Sequence, residues 1–406
     1  MNPLLNWNFI ACCLSNLLFY TAVYVLVPVL PLYLVDEFRA ETSVVGVILS
    51  LFAFTGMFIR PFSGFLVDTF RRKPLYLLCY FLFTAYFAGY LLASTLLMLG
   101  IVRAMQGLIF SIGTTSAITV AIDLLSPQQQ GRGIGIFGVT TSAGILFGPV
   151  TGLKVLEFYS FQEVFAVALT ISTIALLIGA TIRMERQLPR KPASTSPASF
   201  TATLKFTNII LIRGLPMALC VILVMFLYGA LIHYLTLFVR EHAITAEPGF
   251  FFVWLSLGLI FGRLAGGWLV DAGYLMLPVI FGKVLLTSAV FVLWADLFAV
   301  MFYLSAALFG FGYGIIFPSY QTMFIRLANK EQRGIAVSTY RTATDFGTGF
   351  AILCGGVIAQ FFSFFSIFLT GAVLALLSLV LFIAMVSSRH RRRLFSAENY
   401  GTMTSR

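Results

Sequence analysis

The feature that most constrains this chain is the length of its uncharged stretches. Residues 9–35, 214–239 and 346–388 contain no Asp, Glu, Lys or Arg. A bilayer core about 30 Å thick is crossed by a helix of about 20 apolar residues, so the last stretch is long enough for two crossings. The stretches are continuously apolar rather than alternating, which favours membrane-spanning helices over the strands of a barrel.

Composition excludes a water-soluble fold. Of the 406 residues, 60% are apolar and 10% are charged, whereas soluble domains carry about 25% charged residues. We therefore predict an all-α polytopic membrane protein with twelve transmembrane helices in two pseudo-symmetric six-helix bundles. The predicted helices are 9–35, 44–67, 74–94, 96–122, 133–156, 162–183, 214–239, 249–271, 274–295, 297–325, 334–360 and 363–388.

The basic residues indicate the orientation in the membrane. The net charge is +11, and the Lys and Arg residues cluster in four short segments outside the apolar stretches: 71–73, 183–191, 326–333 and 389–393. When the helices are threaded alternately, all four segments fall on one side, which the positive-inside rule assigns to the cytoplasm together with both termini. Asp36, Glu37 and Glu241 fall on the other side. This distribution forms no basic groove for nucleic acid and predicts a multi-pass protein of the cytoplasmic (inner) membrane.

The sequence contains an internal repeat. Residues 60–68 recur as 263–271, a shift of 203 residues, and Arg132-Gly133 recurs as Arg333-Gly334, a shift of 201 residues. Two landmarks with nearly the same shift indicate a duplicated six-helix unit, and duplicated halves that meet at a central pathway are a common plan for transporters.

Composition also predicts the domain boundaries. The segment 185–205 is rich in Pro, Ser, Thr and basic residues, as is typical of a flexible linker. We predict an N-terminal bundle, a cytoplasmic linker, a C-terminal bundle and a cytoplasmic tail at residues 1–183, 184–212, 213–393 and 394–406.

A short motif around the end of the second predicted helix contains Gly64, Asp68, Arg72 and Lys73. This arrangement resembles motif A of the major facilitator superfamily, which joins the second and third helices on the cytoplasmic side. The chain departs from the family pattern at Thr69, where a basic residue is usual, and at Arg71, where Gly is usual. The second copy keeps Gly267 and Asp271 but lacks the basic cluster.

The chemistry of this motif follows from its residue types. A carboxylate at a helix end, such as Asp68, is costly to desolvate unless a cation or a helix N-terminus meets it. Asp123 and Arg132 flank the loop after the fourth helix and are the expected partners of Arg72 and Asp68. Gly64 is expected to allow close packing between helices. Two roles are open: a latch that holds the outward-facing state, or a static cytoplasmic cap of charges that set the topology.

The fourth predicted helix carries a second motif. Arg103, Gln106 and Gly107 resemble motif B of the same family, Arg-x-x-Gln-Gly. An arginine inside a membrane span should face the bundle interior or a wet cavity. There Arg103 is either a functional charge or a hydrogen-bond anchor between helices.

The fifth predicted helix carries a third motif, formed by Gly144, Gly148, Pro149 and Gly152. It resembles motif C, which within this superfamily is associated with exporters that exchange substrate for protons. The resemblance implies efflux. A Gly-rich face with a proline equally suits a tight and bent helix crossing, which is the alternative.

Four residues are candidates for proton coupling: Asp345, Arg341, Arg103 and His233. Asp345 lies about 16 Å along the eleventh helix from Gly334, near the midplane, where an unpaired carboxylate is a candidate proton carrier. Arg341 lies four residues earlier on the same face, so a structural ion pair is the alternative. His233 is a side chain that usually titrates near neutral pH, and its alternative is a hydrogen-bonding role.

Polar and aromatic side chains predict the lining of a substrate cavity. On the first helix Asn16, Tyr20 and Tyr24 fall four residues apart and share one face. In the resembled family helices one, four, seven and ten line the cavity, which gives the full set of candidates as Asn16, Tyr20, Tyr24, Gln106, Tyr228, Tyr313 and Gln321. Such a lining suits an apolar or amphipathic solute better than a sugar, with interhelical packing as the alternative for each tyrosine. Lys283 is expected on a peripheral helix, snorkelling or packing locally.

Several site types are not predicted. No P-loop occurs, and the five cysteines lie in apolar stretches without metal-ligand spacing, so we expect no cofactor and no metal. We predict a secondary transporter rather than an enzyme, a monomer that exports amphipathic or drug-like solutes in exchange for protons. Its partners are a small-molecule substrate, protons and the lipid bilayer, without nucleic acid. The alternatives are an importer or facilitator of a metabolite such as a sugar or organic anion, and an intramembrane enzyme or lipid-handling protein.

Overall fold

The fold is built from long apolar helices. The computed structural model describes residues 6–126, 129–184, 210–294, 299–328 and 332–387, apart from the side chains at six positions: Asp68, Gly131, Arg132, Arg333, Val386 and Ser387. Twelve helical segments in these ranges are long and apolar enough to cross a membrane. The predicted all-α polytopic fold is confirmed.

The helices follow the predicted segments closely. The N-terminal ones are α1 (Trp7–Leu26), α2 (Val29–Asp36), α3 (Thr42–Thr69), α4 (Arg72–Leu92), α5 (Leu96–Asp123), α6 (Gln130–Phe158) and α7 (Phe161–Thr181). The C-terminal ones are α8 (Leu215–Glu241), α9 (Pro248–Asp271), α10 (Met276–Trp294), α11 (Ala299–Leu327), α12 (Arg333–Phe361) and α13 (Phe364–Ser387), preceded by a short 3₁₀ turn at Ile212–Gly214.

The first membrane span differs from the prediction because it is broken. We expected one helix over residues 9–35, but α1 ends at Leu26 and α2 begins at Val29. Pro28 stands at the break. A proline lacks the N–H that an α-helix needs four residues after each carbonyl, so the chain turns there before the helix resumes.

The chain forms two compact units, Met1–Ser196 and Pro197–Arg406. In the first unit α1 packs on α6 and α7, and α3 packs on α5. In the second unit α8 packs on α12 and α13, and α9 packs on α11. The order of pairing is the same in both. The division falls inside the predicted linker, most of which lies outside the described residues together with the predicted tail.

One contact shows the duplication at atomic detail. A Cβ atom built on Gly107 of α5 would lie 2.1 Å from the carbonyl oxygen of Phe52 on α3. A Cβ built on Gly310 of α11 would lie 1.9 Å from the carbonyl oxygen of Leu255 on α9. Both members of the second pair follow their counterparts by 203 residues. The shift found between the two copies of the sequence therefore also relates the helix contacts.

Candidate functional site

The glycines of α6 form a close seam with α1. A Cβ built on Gly144 would lie 2.6 Å from the Cβ of Tyr20, and one built on Gly148 would lie 2.5 Å from the Cβ of Tyr24. Gly152 continues the seam one turn later, against the carbonyl oxygen of Val25. Any side chain on these glycines would push the helices apart, since real Cβ atoms do not approach so closely.

Asn16 belongs to the same seam. Its side-chain Nδ2 donates hydrogen bonds to Thr140 Oγ1 at 3.0 Å and to Thr141 Oγ1 at 2.9 Å, both on α6. Asn16 is buried, so its amide joins two helices inside the unit. Pro149 lies within α6 beside Gly148 and removes one backbone hydrogen bond from the helix at the seam.

Tyr20 and Tyr24, whose Cβ atoms form part of the seam, are half-buried. Their rings are stacked with centroids 6.5 Å apart, and the ring of Tyr20 meets Phe110 of α5 edge-on at 5.7 Å. The face predicted to line a cavity therefore packs its Cβ atoms on α6 and presents its rings beside α5.

Arg103 is buried inside the N-terminal unit, on α5. The side chain is 5% exposed, and its guanidinium carbon lies 4.7 Å from the centroid of the Phe52 ring. This is a cation–π distance. Tyr90 of α4 lies next to it and donates a hydrogen bond to Gln106 Oε1 at 2.5 Å. The predicted placement of Arg103 towards the bundle interior agrees with this geometry.

The polar group around Arg103 keeps unused donors. Arg103 Nε and Gln106 Nε2 are buried without a hydrogen-bond partner among the described residues. Buried N–H groups without acceptors are costly, and such sites usually hold an acceptor from a water or a solute. The group formed by Arg103, Gln106 and Tyr90 is thus a polar site with two donor nitrogens, Arg103 Nε and Gln106 Nε2, that have no acceptor among the described residues.

The candidate proton carrier of the C-terminal unit, Asp345, lies on α12. Asp345 is half-buried, while Arg341, one turn earlier, is exposed within its unit. His233 on α8 is buried, and its Nδ1 lies 3.0 Å from the carbonyl oxygen of Gly229 in the preceding turn. Because a carbonyl only accepts, this contact places a proton on Nδ1. In the part of the chain that the structure describes, no group of His, Cys, Asp and Glu side chains is arranged to hold a metal.

Only two of the three cavity candidates in the C-terminal unit, Tyr228 and Tyr313, lie together. Tyr228 of α8 and Tyr313 of α11 meet edge-on with ring centroids 4.9 Å apart, and Tyr313 Oη donates to the carbonyl oxygen of Val224 at 3.5 Å. Tyr313 is fully buried in its own unit. Gln321 is exposed on α11 and has no part in this pair.

The cytoplasmic motif contains an ion pair between helix ends. Arg72 Nη1 at the start of α4 binds Asp123 Oδ1 at the end of α5. The backbones of Asp68 and Arg132 lie in α3 and α6, but their side chains are outside the described set. Asp271 is exposed at the end of α9.

The expected close packing at Gly64 is not found in its unit. A Cβ built on Gly64, or on its counterpart Gly267, would have no described atom within 4 Å. Neither glycine therefore makes a close helix contact among the described residues, and the close α3–α5 contact lies two to three turns before Gly64, at Gly56 and Phe52.

Tyr90 was not predicted as a site residue, because nothing near it on α4 marks it as the partner of a residue on α5. Lys283 was expected to snorkel or to pack locally, and it is packed and fully buried. One further signal was present in the sequence: Gly347 and Gly355 of α12 follow Gly144 and Gly152 by 203 residues, and a Cβ built on Gly347 would lie 2.5 Å from Ile222 of α8.

Comparison with known families decides the class. A family model described as the Major Facilitator Superfamily matches residues 12–325 and 249–400. The chain belongs to this superfamily. It is therefore a transporter of small molecules, not an enzyme, and its twelve apolar helices make it a multi-pass membrane protein.

Proteins similar to this chain include one named for resistance and one named for export. The chain is 27% identical to the tetracycline resistance protein, class H, of Pasteurella multocida over 205 residues, which are 49% of this chain and 50% of that protein. It is 20% identical to the staphylopine export protein of Staphylococcus aureus over 387 residues, 94% of this chain and 96% of that one.

Solved structures share the superfamily fold. The peptide transporter POT, as a point mutant in complex with alafosfalin, superposes with a TM-score of 0.76 at 13% identity, covering 95% of each chain. At this identity the likeness concerns the fold and leaves the substrate and the direction of transport open.

Proposed function

We propose that this transporter is a proton-coupled exporter of small amphipathic or drug-like solutes that works by alternating access. The observation that carries the proposal is the seam between α1 and α6, where Gly144 and Gly148 pack against Tyr20 and Tyr24. These glycines are the ones whose pattern resembles the exporter motif. Two relatives support the same direction: the name of one states tetracycline resistance, and the name of the other states staphylopine export.

The coupling groups follow from the buried and half-buried charges. Asp345 is the proposed proton carrier, and Arg341, exposed one turn earlier on the same helix, is the cation proposed to act with it. Arg103, with Gln106 Nε2, offers donors to the solute or to the water that accompanies it. His233, which contacts the carbonyl oxygen of Gly229 through Nδ1, is the remaining proposed coupling group.

The cytoplasmic motif is the proposed latch of the outward-facing state. The Arg72–Asp123 pair joins α4 to α5 at this surface, and the latch also includes Gly64, Asp68, Arg132 and, in the second copy, Gly267 and Asp271. We place this surface and both termini in the cytoplasm and the protein in the inner membrane, as a monomer, because the basic segments cluster on this side. The predicted domain boundaries, with a linker at 184–212, remain part of this proposal.

Inside-out membrane vesicles test the direction. With an acid interior, vesicles that contain the protein should accumulate a fluorescent amphipathic cation such as ethidium, and a protonophore should release it. Vesicles with the Asp345→Asn variant are the matched control for coupling. If acidification of the interior drives the dye out instead, the protein is not an exporter of this class.

A second candidate is import or facilitated passage of an organic anion. The unpaired donors of Arg103 and Gln106 favour it, since both groups can bind a carboxylate. In whole cells, addition of a transported anion should then make the medium more alkaline as protons enter with it. An exporter that exchanges solute for protons does not produce this signal on adding solute outside.

A further inference from the structure

Lys283 lies where the physics of a membrane protein makes a lysine costly. It stands on α10, seven residues or about 10 Å from the helix start, and it is 0% exposed. Lys283 was expected on a peripheral helix, either snorkelling to the surface or packing locally. Here the side chain turns inward, because α11 and α13 pack on both sides of it.

The ammonium group of Lys283 is surrounded by three groups that attract a cation, which we call the cage: the carbonyl oxygen of Ser378 and the rings of Phe382 and Tyr320. Lys283 Nζ donates a hydrogen bond to the carbonyl oxygen of Ser378 on α13 at 2.8 Å. It also lies 4.8 Å from the ring centroid of Phe382 on α13 and 5.6 Å from that of Tyr320 on α11. Both distances are in the range of cation–π attraction, and the faces of aromatic rings together with carbonyl oxygens recognise ammonium groups in general.

Lys283 has no carboxylate partner among the described residues. The titratable groups that face the cage are the thiol of Cys220 on α8 and the phenol of Tyr320 on α11, whereas α13 contributes only Ser378 and Phe382. Removing an ion from water costs several kcal/mol, and apolar residues of similar volume often stabilise such a site better. Stability alone therefore does not account for a lysine here, and a charge inside a membrane span marks a functional site by default.

The cage joins four helices of the C-terminal unit. Ser378 Oγ donates to the carbonyl oxygen of Cys220 at 2.7 Å, so the cage reaches α8 as well as α10, α11 and α13. Tyr320 follows Pro318 by two residues on α11. A proline interrupts the backbone hydrogen bonds of a helix, so the segment after it depends on outside contacts for its position.

We propose that the Ser378 carbonyl and the rings of Tyr320 and Phe382 form a binding site for a primary ammonium group, that Lys283 fills this site from within the chain, and that transport requires the positive charge there. Lys283 is a positioning residue: its charge holds the part of α11 that follows Pro318. The inference depends on the proposed function only for its transport readout.

The Lys283→Met variant separates charge from packing. Methionine fills the apolar path to the cage without a charge, so the thermal midpoint in detergent should stay within about 4 °C of the wild type or rise. Transport of the dye should fall by about tenfold or more. A Met variant that transports at the wild-type rate overturns the proposal.

The Lys283→Ala variant tests the binding site without any transport assay. Alanine removes the side chain beyond Cβ, and n-propylammonium has the three carbons and the nitrogen that are then missing. Added n-propylammonium should raise the thermal midpoint of this variant, while n-propanol, an uncharged molecule of the same shape, should raise it much less. The wild type, whose site is filled, should respond to neither.

Equal responses to n-propylammonium and n-propanol would contradict a cation site and leave only an apolar channel. If the Ala variant cannot be purified without additive, its folded yield with each of the two additives gives the same comparison. Because this experiment uses no solute and no gradient, its failure is distinct from a failure of the proposed efflux.

Discussion

Tyr90 holds the polar group around Arg103 in place through its hydroxyl, which contacts both Gln106 and Arg103. Tyr90→Phe removes the hydroxyl that binds Gln106 Oε1 and leaves this buried acceptor unpaired. We expect a loss of about 1–3 kcal/mol in the free energy of unfolding and a lower rate of transport. Thermal unfolding in detergent measures the first effect.

Tyr86→Phe is the control for this change. Tyr86 lies one turn earlier on α4 and is half-buried, so its variant should unfold at the wild-type temperature. Equal midpoints for the two variants would show that the Tyr90 hydrogen bond contributes nothing to stability.

Asp345 is the residue on which proton coupling depends in this account. Asn has nearly the same size but cannot carry a proton, so Asp345→Asn should abolish solute accumulation driven by a pH gradient. Exchange of labelled for unlabelled solute, which needs no net proton movement, should persist. Loss of both activities with a stable fold would instead indicate that Asp345 binds the solute or pairs structurally with Arg341.

For single residues, the sequence predicts which side chains face the bundle interior better than it predicts which residues they contact. Arg103 was predicted to face inward because an arginine inside a span has few other choices. The cage around Lys283 was not predicted, because Tyr320, Ser378 and Phe382 come from two other helices and nothing in their local sequence marks them as neighbours of an amine.

Among the helices, the seam between α1 and α6 is the most sensitive contact. A methyl group on Gly148 would lie 2.5 Å from the Cβ of Tyr24 and 2.8 Å from the carbonyl oxygen of Thr21. Gly148→Ala should therefore separate the helices and cost about 1–3 kcal/mol of stability. Transport should decline with it.

Gly138→Ala provides the matched control on the same helix. A Cβ at Gly138 would have no described atom within 4 Å, and alanine is the better helix former by about 1 kcal/mol. This variant should be as stable as the wild type or slightly more so. If Gly138→Ala proves as damaging as Gly148→Ala, the seam is not the cause of the effect.

The ion pair between α4 and α5 opposes both helix dipoles. Arg72 stands at the positive N-terminus of α4 and Asp123 at the negative C-terminus of α5, so each charge depends on the other. Arg72→Gln or Asp123→Asn alone should cost on the order of 1 kcal/mol, since both side chains are partly exposed.

Exchange of the two charges tests this interpretation. The double variant Arg72→Asp with Asp123→Arg restores the pair and places each charge at the helix end that favours it. It should unfold at or above the wild-type temperature. A double variant less stable than both single variants would show that position-specific contacts, not charge, determine this joint.

The glycine motif was found in the sequence, but the helix that it packs against was not predicted. Tyr20 and Tyr24 were predicted to line a cavity, with interhelical packing as the alternative, and their Cβ atoms pack on Gly144 and Gly148 of α6 while both residues stay half-buried. Periodicity shows that residues share a helix face, but it does not show which helix that face meets.

For the whole molecule, duplication was the most informative feature of the sequence. Two landmarks in the sequence gave shifts of 203 and 201 residues, and the same 203-residue shift relates the Gly107–Phe52 contact to the Gly310–Leu255 contact. Twelve spans were predictable because an apolar run reports the thickness of a bilayer directly. The break at Pro28 was not predicted, because apolar residues continue on both sides of it.

The direction and the energy source of transport belong to the molecule as a whole. The central claim is that the protein moves an amphipathic solute against its gradient in exchange for protons. The most direct measurement uses purified protein in proteoliposomes with a fixed internal pH. With an acid interior the account predicts that ethidium accumulates inside, and that reversing the pH gradient drives the dye out. Equal uptake under both gradients, stopping when the concentrations inside and outside are the same, would contradict it.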